Sequence, residues 1–174
     1  LQYIKGLDPR MAGMVIMAQP VMMALFSPFA GWMSDRIEPR VLSSIGLAIT
    51  GGGLFSFVFL DNNTQIPLVV WTLMILGFGF ALFSSPNMNA IMGSVERRYL
   101  GIASGSAGTM RIFGQMISMG VATLVLSLMV GSQAISTDNY SQLLSSVKIC
   151  FLVFSIFCLL GVFVSLTRGS LHKK

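Results

Sequence analysis

Charged residues are scarce in this sequence: they make up 10% of its 174 positions, whereas hydrophobic residues make up 54%. A soluble globular domain carries about 25% charged residues, which keep its surface in contact with water. A chain with so few charges cannot cover a soluble fold of this size with polar groups. The composition therefore argues against a soluble protein and favours one whose solvent is lipid.

The residues that build metal and catalytic sites are also few. The only histidine is His172, and the two cysteines, Cys150 and Cys158, lie two helical turns apart with no further ligand at metal-binding spacing. The sequence also lacks a glycine-rich phosphate-binding loop and a nucleophile with a nearby base. We therefore predict no enzyme activity, no metal site and no cofactor, and we interpret the cysteines as packing residues.

Long intervals contain no charge at all, namely residues 11–34, 41–60, 62–95, 112–137 and 149–167. About 20 apolar residues in a helix span the ~30 Å hydrocarbon layer, where the backbone must satisfy its own hydrogen bonds. The intervals predict an all-α integral membrane protein, with one transmembrane bundle over residues 1–174. Its five helices are expected at approximately 9–34, 41–60, 67–93, 102–130 and 143–166, with Pro20, Pro28 and Pro86 as candidate bends.

The basic residues lie at the ends of these intervals. If the first helix crosses inward, the inner segments contain Arg36, Arg40, Arg97, Arg98, Arg168, Lys173 and Lys174, whereas the outer segments contain Lys5, Arg10, Asp61 and Asp138. Short loops rich in Arg and Lys stay on the cytoplasmic side of a membrane. The net charge of +5 is thus an orientation signal, which predicts a multi-pass protein of the cell (inner) membrane with a cytoplasmic carboxy-terminus. The lipid bilayer is the expected partner, and nucleic acid is not.

Small residues recur at helical spacing, as in Gly46, Thr50 and Gly53 or in Cys158, Gly161 and Ser165. Membrane helices associate closely along such small faces, so these faces are predicted to be packing seams.

Polar residues at membrane depth are the candidate functional residues. Arg111, Gln115 and Ser118 share one face of the fourth helix, and Ser84 and Asn87 give the third helix a weaker polar face. Because a charge at the bilayer centre costs about 2.5–3.5 kcal/mol, Arg111 must face a partner or a wet cavity. Two interpretations stay open: the stripe lines a translocation path or charge network, or Arg111 forms a structural pair with a carboxylate elsewhere.

The stretch "GWMSDRIEPR" resembles the signature loop of the major facilitator superfamily, roughly G-x-x-x-D-R-x-G-R-R. Gly31, Asp35, Arg36 and Arg40 match this pattern, while Glu38 and Pro39 depart from it. The stretches "LQYIKGLDPRMAG" and "PNMNAIMGSVERRYLGIASG" resemble the fourteen-helix drug:proton antiporter-2 exporters. The resemblance implies part of the carboxy-terminal half of a major facilitator fold, with the amino-terminal half missing, and an inner-side latch in the signature loop.

The loop also has a physical interpretation of its own. Asp35 can accept hydrogen bonds from the amino-terminal amides of a neighbouring helix, and Arg36 can pair with Asp35 or with lipid phosphates. A polar turn that serves only as a positive-inside anchor is the alternative.

The resemblance implies a secondary active transporter that exports amphipathic or cationic compounds against protons. All six acidic residues lie in loops or at helix ends, so a proton-coupling carboxylate is expected in the missing half. The alternatives are a major facilitator carrier of another small solute and a membrane sensor or scaffold without transport.

Overall fold

The computed structural model describes residue 6 and residues 8–61, 64–130 and 140–167. Within these residues the regular structure is helical, and five helical segments are long and apolar enough to cross a membrane: Pro9–Ser34, Pro39–Phe59, Ile66–Gly93, Arg97–Met129 and Gln142–Leu166. The predicted all-α membrane architecture is therefore confirmed. The predicted tail charges and the outer-loop residues Lys5 and Asp138 lie outside the described residues.

The first span consists of two helices, α1 (Pro9–Ile16) and α2 (Ala18–Ser34), which are separated at Met17. The break follows from Pro20, which has no N–H to donate to the carbonyl of Ile16 and whose ring crowds that carbonyl. A bend was predicted at Pro20, and the structure has a break in the helix at Met17, about one turn before that proline. Pro28, by contrast, lies inside the continuous α2.

Proline also marks where the next helices begin. The third helix, α3 (Pro39–Ser56), starts with Pro39 and continues into a 3-10 turn at Phe57–Phe59. The fourth, α4 (Ile66–Gly93), has Pro67 in its first turn. The missing N–H is no loss there, because the first amides of a helix have no partner within it. Pro86 is buried inside α4 without ending the helix.

The remaining two helices are α5 (Leu100–Val130), preceded by a 3-10 turn at Arg97–Tyr99, and α6 (Tyr140–Leu166). Helix α4 packs along both α2 and α3, and α3 packs along α6 on its other side. Two apolar clusters fill the space between these helices, one around Ala30, Leu42 and Leu82 and the other around Phe57 and Val69.

Helices α3 and α4 approach each other at backbone distance. A Cβ atom on Gly46 would lie 2.6 Å from the backbone nitrogen of Phe83 and 2.7 Å from the carbonyl oxygen of Gly79. Only glycine fits at such a position, because real Cβ atoms essentially never come within 3.0 Å of other heavy atoms. The predicted seam through Gly46, Thr50 and Gly53 is therefore a packing surface of the fold.

Hydroxyl groups join α3 to α6. The Oγ of Ser155, which is buried, donates to the carbonyl oxygen of Gly51 at 2.9 Å, and the Oγ of Ser44 donates to the Oγ of Ser165 at the same distance. Within lipid, such interhelical hydrogen bonds and small-residue contacts replace the hydrophobic drive that soluble helices use. The predicted small face of the last helix is thus confirmed as the α3 contact.

Helix α5 is the least buried of the five spans. None of its most apolar stretch is buried, compared with 6% in the first and last spans, 33% in the α4 span and 39% in the α3 span. A Cβ atom added at Gly105, Gly108, Gly114 or Gly120 would meet nothing within 4 Å. Within the described part of the chain, α5 is therefore open at each of these glycines.

Candidate functional site: a cleft between α4 and α5

A cleft with a volume of about 530 Å³ lies between α4 and the first half of α5. Its polar lining residues are Ser84, Asn87, Ser106 and Arg111. Pockets for small molecules typically measure about 300–1,000 Å³ and combine an apolar lining with a few polar groups. The cleft thus has the size and the mixture of groups that a small-molecule site requires.

The cleft is otherwise lined by aromatic, aliphatic and thioether side chains. These are Phe80, Phe83, Met88 and Ile91 on α4 and Ala103, Ala107 and Met110 on α5. Phenylalanine rings offer flat apolar surfaces, and methionine adapts its shape to different neighbours. This lining suits the apolar body of an amphipathic molecule.

Among the residues that the structure describes, Arg111 is the one charged residue of the lining. It lies about 16 Å along α5 from Leu100, at 1.5 Å per residue, which is near the middle of a membrane-spanning helix. In the part of the chain that the structure describes, no carboxylate lies within ion-pair distance of its guanidinium group. The positive charge therefore faces the cleft without compensation from these residues.

The structure brings only some of the predicted polar residues together. Ser84, Asn87 and Arg111 line the same cleft, although they come from two different helices. Gln115 is exposed and Ser118 is half-buried on the following turns of α5, and neither lines the cleft.

The face of α5 that lines the cleft was only partly predicted. It runs through Ala103, Ser106, Ala107, Met110 and Arg111, at alternating spacings of three and one. The predicted stripe instead placed Arg111 together with Gln115 and Ser118, because these polar residues follow each other at helical spacings of four and three. Ser106 was missed because its neighbours on this face are apolar, so no run of polar residues marks it. The Arg111 side chain lies at the boundary of the two faces.

The signature-loop residues lie at the turn between α2 and α3. The guanidinium group of Arg36 stacks on the Trp32 ring, with 4.0 Å between its central carbon and the ring centroid. Arg40 forms an ion pair with Glu38 at 2.9 Å, so a residue that departs from the family pattern supplies the carboxylate. The stacking of Arg36 on Trp32 is worth about 0.5–1 kcal/mol at an exposed position.

Among the described residues, Asp35 makes neither of the contacts that were considered for it. Its side chain is exposed, and among the described residues it accepts no hydrogen bond from the start of a neighbouring helix and forms no ion pair with Arg36. It caps the carboxy-terminal end of α2, where the helix dipole disfavours a negative charge, and the nearby arginines have other partners.

The contact between this turn and α4 comes from different residues. The Oγ of Ser34, a buried side chain, accepts a hydrogen bond at 2.7 Å from the Nδ2 of Asn89 on α4. Gly31 faces α4 as well, because a Cβ atom there would lie 3.2 Å from the Oγ of Ser85. The small residue at the start of the signature stretch therefore permits close packing of α2 on α4.

A comparison with protein families decides the class of this bundle. The model of the Major Facilitator Superfamily matches residues 1–173. The chain belongs to this superfamily. This confirms the resemblance of the signature loop at the level of the superfamily, whose members are transporters.

Individual members of the superfamily are similar over most of the chain. An uncharacterized transporter, YebQ, of Escherichia coli K12 is 35% identical over 128 residues, which cover 74% of this chain and 28% of that protein. The riboflavin transporter RibZ of Clostridioides difficile 630 is 30% identical, covering 64% of this chain and 24% of that protein. The multidrug resistance protein Stp of Mycobacterium tuberculosis is 31% identical, covering 73% and 24%. The chain thus spans about a quarter of the length of the curated relatives it matches.

Proposed function

We propose that the protein is a secondary active transporter that exports amphipathic small molecules in exchange for protons, with the α4–α5 cleft as part of its translocation path. The observation that carries the proposal is the cleft itself, in which Ser84, Asn87 and Arg111 meet an otherwise apolar lining between two membrane-spanning helices. Polar groups at this depth are expensive and typically mark substrate or ion pathways.

Alternating access requires two bundles that rock around a site near the midplane of the membrane. The chain matches only about a quarter of the length of its relatives. We infer that an amino-terminal half supplies the facing bundle and closes the open side of α5. Within the superfamily we propose the drug:proton antiporter-2 group, because the stretches at residues 1–13 and 86–105 resemble its members.

Proton coupling needs a group that titrates as the substrate binds or leaves. The acidic residues of the described part, Asp8, Asp35, Glu38, Asp61 and Glu96, all lie at helix ends or in turns. The coupling carboxylate is therefore proposed to lie in the amino-terminal half. We propose the cell (inner) membrane as its location, with the Arg-bearing turns and the carboxy-terminus in the cytoplasm, because short loops rich in arginine stay on that side.

We further propose that the turn between α2 and α3 acts as an inner-side latch. Its support is the set of contacts that hold it: Arg36 on Trp32, Glu38 with Arg40, and the hydrogen bond from Asn89 to Ser34. The last of these joins the turn to α4, which lines the cleft, so that a movement of the turn is communicated to the substrate path.

A carrier of another small solute is the second candidate. The observation that favours it is the similarity to a protein named as a riboflavin transporter, which shares 30% identity over 111 residues. The cleft offers hydroxyl, amide and guanidinium groups that suit a solute with several acceptor atoms.

The first candidate exports several amphipathic compounds and depends on the proton gradient, whereas the second carries another small solute. Cells that produce the complete protein are loaded with a cationic dye (ethidium) or an anionic one (a naphthalene sulfonate), and efflux is followed by fluorescence. We expect efflux of at least one dye that stops when an uncoupler collapses the proton gradient. Efflux equal to that of cells without the protein would contradict proton-coupled multidrug export.

A further inference from the structure

We propose that the α4–α5 cleft selects amphipathic molecules that carry a negative charge or a concentrated group of hydrogen-bond acceptors, and that Arg111 is the residue that selects them. This inference rests on the proposed function only in placing the ligand in this cleft. It narrows the substrate class, because a broad exporter of cations would need the opposite charge at this site.

The first argument is the sign of the charge. Arg111 brings a guanidinium group to the cleft, and among the described residues no acidic side chain lines it. In a partly dehydrated site the interaction between charges is several times stronger than in water. A ligand cation that enters the cleft is repelled by Arg111 and meets no carboxylate among the described lining residues, whereas a ligand anion is attracted.

The second argument is the geometry of the guanidinium group. Its planar fork of donors matches a carboxylate, sulfonate or phosphate, and such charge-assisted hydrogen bonds are about twice as strong as neutral ones. Ser84 and Ser106 add hydroxyl donors to the lining, one from each helix. Of these groups only the guanidinium is donor-only, so Arg111 requires acceptors on the ligand, and the two hydroxyls can donate to further acceptors.

The third argument is that Arg111 needs such a partner. Over residues 8–61, 64–130 and 140–167, the structure gives its guanidinium group neither an ion pair nor a hydrogen bond. A charge in the middle of the membrane persists only with a partner or water beside it. An anionic ligand supplies the partner during transport, and water fills the cleft between transport events.

The apolar part of the ligand is specified by the remaining lining. Phe80 and Phe83 offer ring surfaces on α4, and Met110 lies one residue before Arg111 on α5. An aromatic body next to an anionic group fits this arrangement, with the rings against the phenylalanines and the charge at Arg111.

Two fluorescent probes with the same aromatic body test the inference. Anilinonaphthalene sulfonate is an anion, and phenylnaphthylamine has the same rings without the sulfonate. Their binding is titrated with the complete protein in nanodiscs, and the signal of empty nanodiscs is subtracted. We expect the wild-type protein to bind the anion more tightly, and Arg111→Gln to weaken anion binding about tenfold, the loss of one charged hydrogen bond.

The control variants separate selection from structure. Arg111→Lys keeps the positive charge and is expected to retain part of the preference for the anion. Arg98→Gln removes an exposed arginine that stacks on Tyr99 outside the cleft, and it is expected to leave both affinities unchanged. Binding of the neutral probe is expected to be the same in all four proteins.

Three results would overturn the inference: equal affinity of the wild-type protein for both probes, an unchanged anion affinity in Arg111→Gln, or a parallel loss of both probes in that variant. The last result would indicate that Arg111 holds the fold together by pairing with a carboxylate. The binding assay does not depend on efflux. Selective binding of the anion without proton-driven export would refute the proposed function, but it would still support the inference that the cleft selects anionic ligands.

Discussion

The contact of Gly46 with α4 gives a prediction with a built-in control. In Gly46→Ala, the new methyl group would lie 2.6–2.8 Å from three backbone atoms, in Phe83, Gly79 and Leu82. Backbone atoms in the middle of a helix cannot turn aside as a side chain can, so α3 and α4 must separate. Gly52→Ala is the matched variant, because it lies in the same helix and its new methyl group would meet nothing within 4 Å.

The expected magnitudes follow from two opposing effects. Alanine is more favourable than glycine within a helix by about 0.8–1.0 kcal/mol, which applies to both variants. Overpacking at Gly46 costs about 1–3 kcal/mol, occasionally more, and applies to that variant alone. We therefore expect Gly52→Ala to be neutral or slightly stabilising and Gly46→Ala to be clearly destabilising relative to it.

The measurement is thermal unfolding of the two variants and the wild-type protein in the same detergent. At about 2–4 °C per kcal/mol for a domain of this size, the midpoints of the two variants should differ by several degrees. Equal midpoints, or a lower midpoint for Gly52→Ala, would show that the α3–α4 contact is not as close as the structure has it.

Three further predictions concern topology, the α3–α6 seam and transport. Cysteines introduced at Glu38 and Tyr99, in a background without other cysteines, should react with a membrane-impermeant maleimide only from the cytoplasmic side, and labelling from opposite sides would refute the topology. Ser155→Ala removes the buried hydrogen bond between α6 and α3 and should destabilise the protein by about 0.6–1.7 kcal/mol in detergent unfolding. Ser127→Ala is the control, because the Ser127 hydroxyl donates to Leu124 in its own helix, and it should have a smaller effect. Equal effects of the two substitutions would contradict the role of the α3–α6 seam. Arg111→Ala should reduce energy-dependent efflux while the amount of membrane-inserted protein stays constant on immunoblots, and wild-type efflux would remove Arg111 from the transport path.

The spans of the helices were predictable because lipid imposes them. A membrane-crossing segment must be helical and nearly free of charge, so the uncharged intervals and the prolines beside them mark where helices begin and end. The observed bounds differ from the predicted ones by a few residues only. Pro20 also indicated the place of the break in the first span, since its effect acts within one helical turn.

The side of α5 that faces the cleft was not predictable in the same way. Which side of a helix faces a cleft depends on its neighbours in space, and the cleft is completed by α4, which is separated from α5 by the turn at Arg97–Tyr99. Polarity grouped Arg111 with Gln115, whereas the packing groups it with Ala107 and Met110. The Asn89–Ser34 hydrogen bond has no sequence signal either, because it joins residues that are 55 positions apart.

The backbone contact between α3 and α4 restricts how the bundle can deform. Where Gly46 meets Gly79, no layer of side chains lies between the two helices to change rotamer when they slide. Sliding of one helix along the other is therefore resisted directly by main-chain atoms, and we expect the two helices to move as a unit. Among the described helices, relative movement is therefore left to the contacts of α5, whose most apolar stretch has no buried residue.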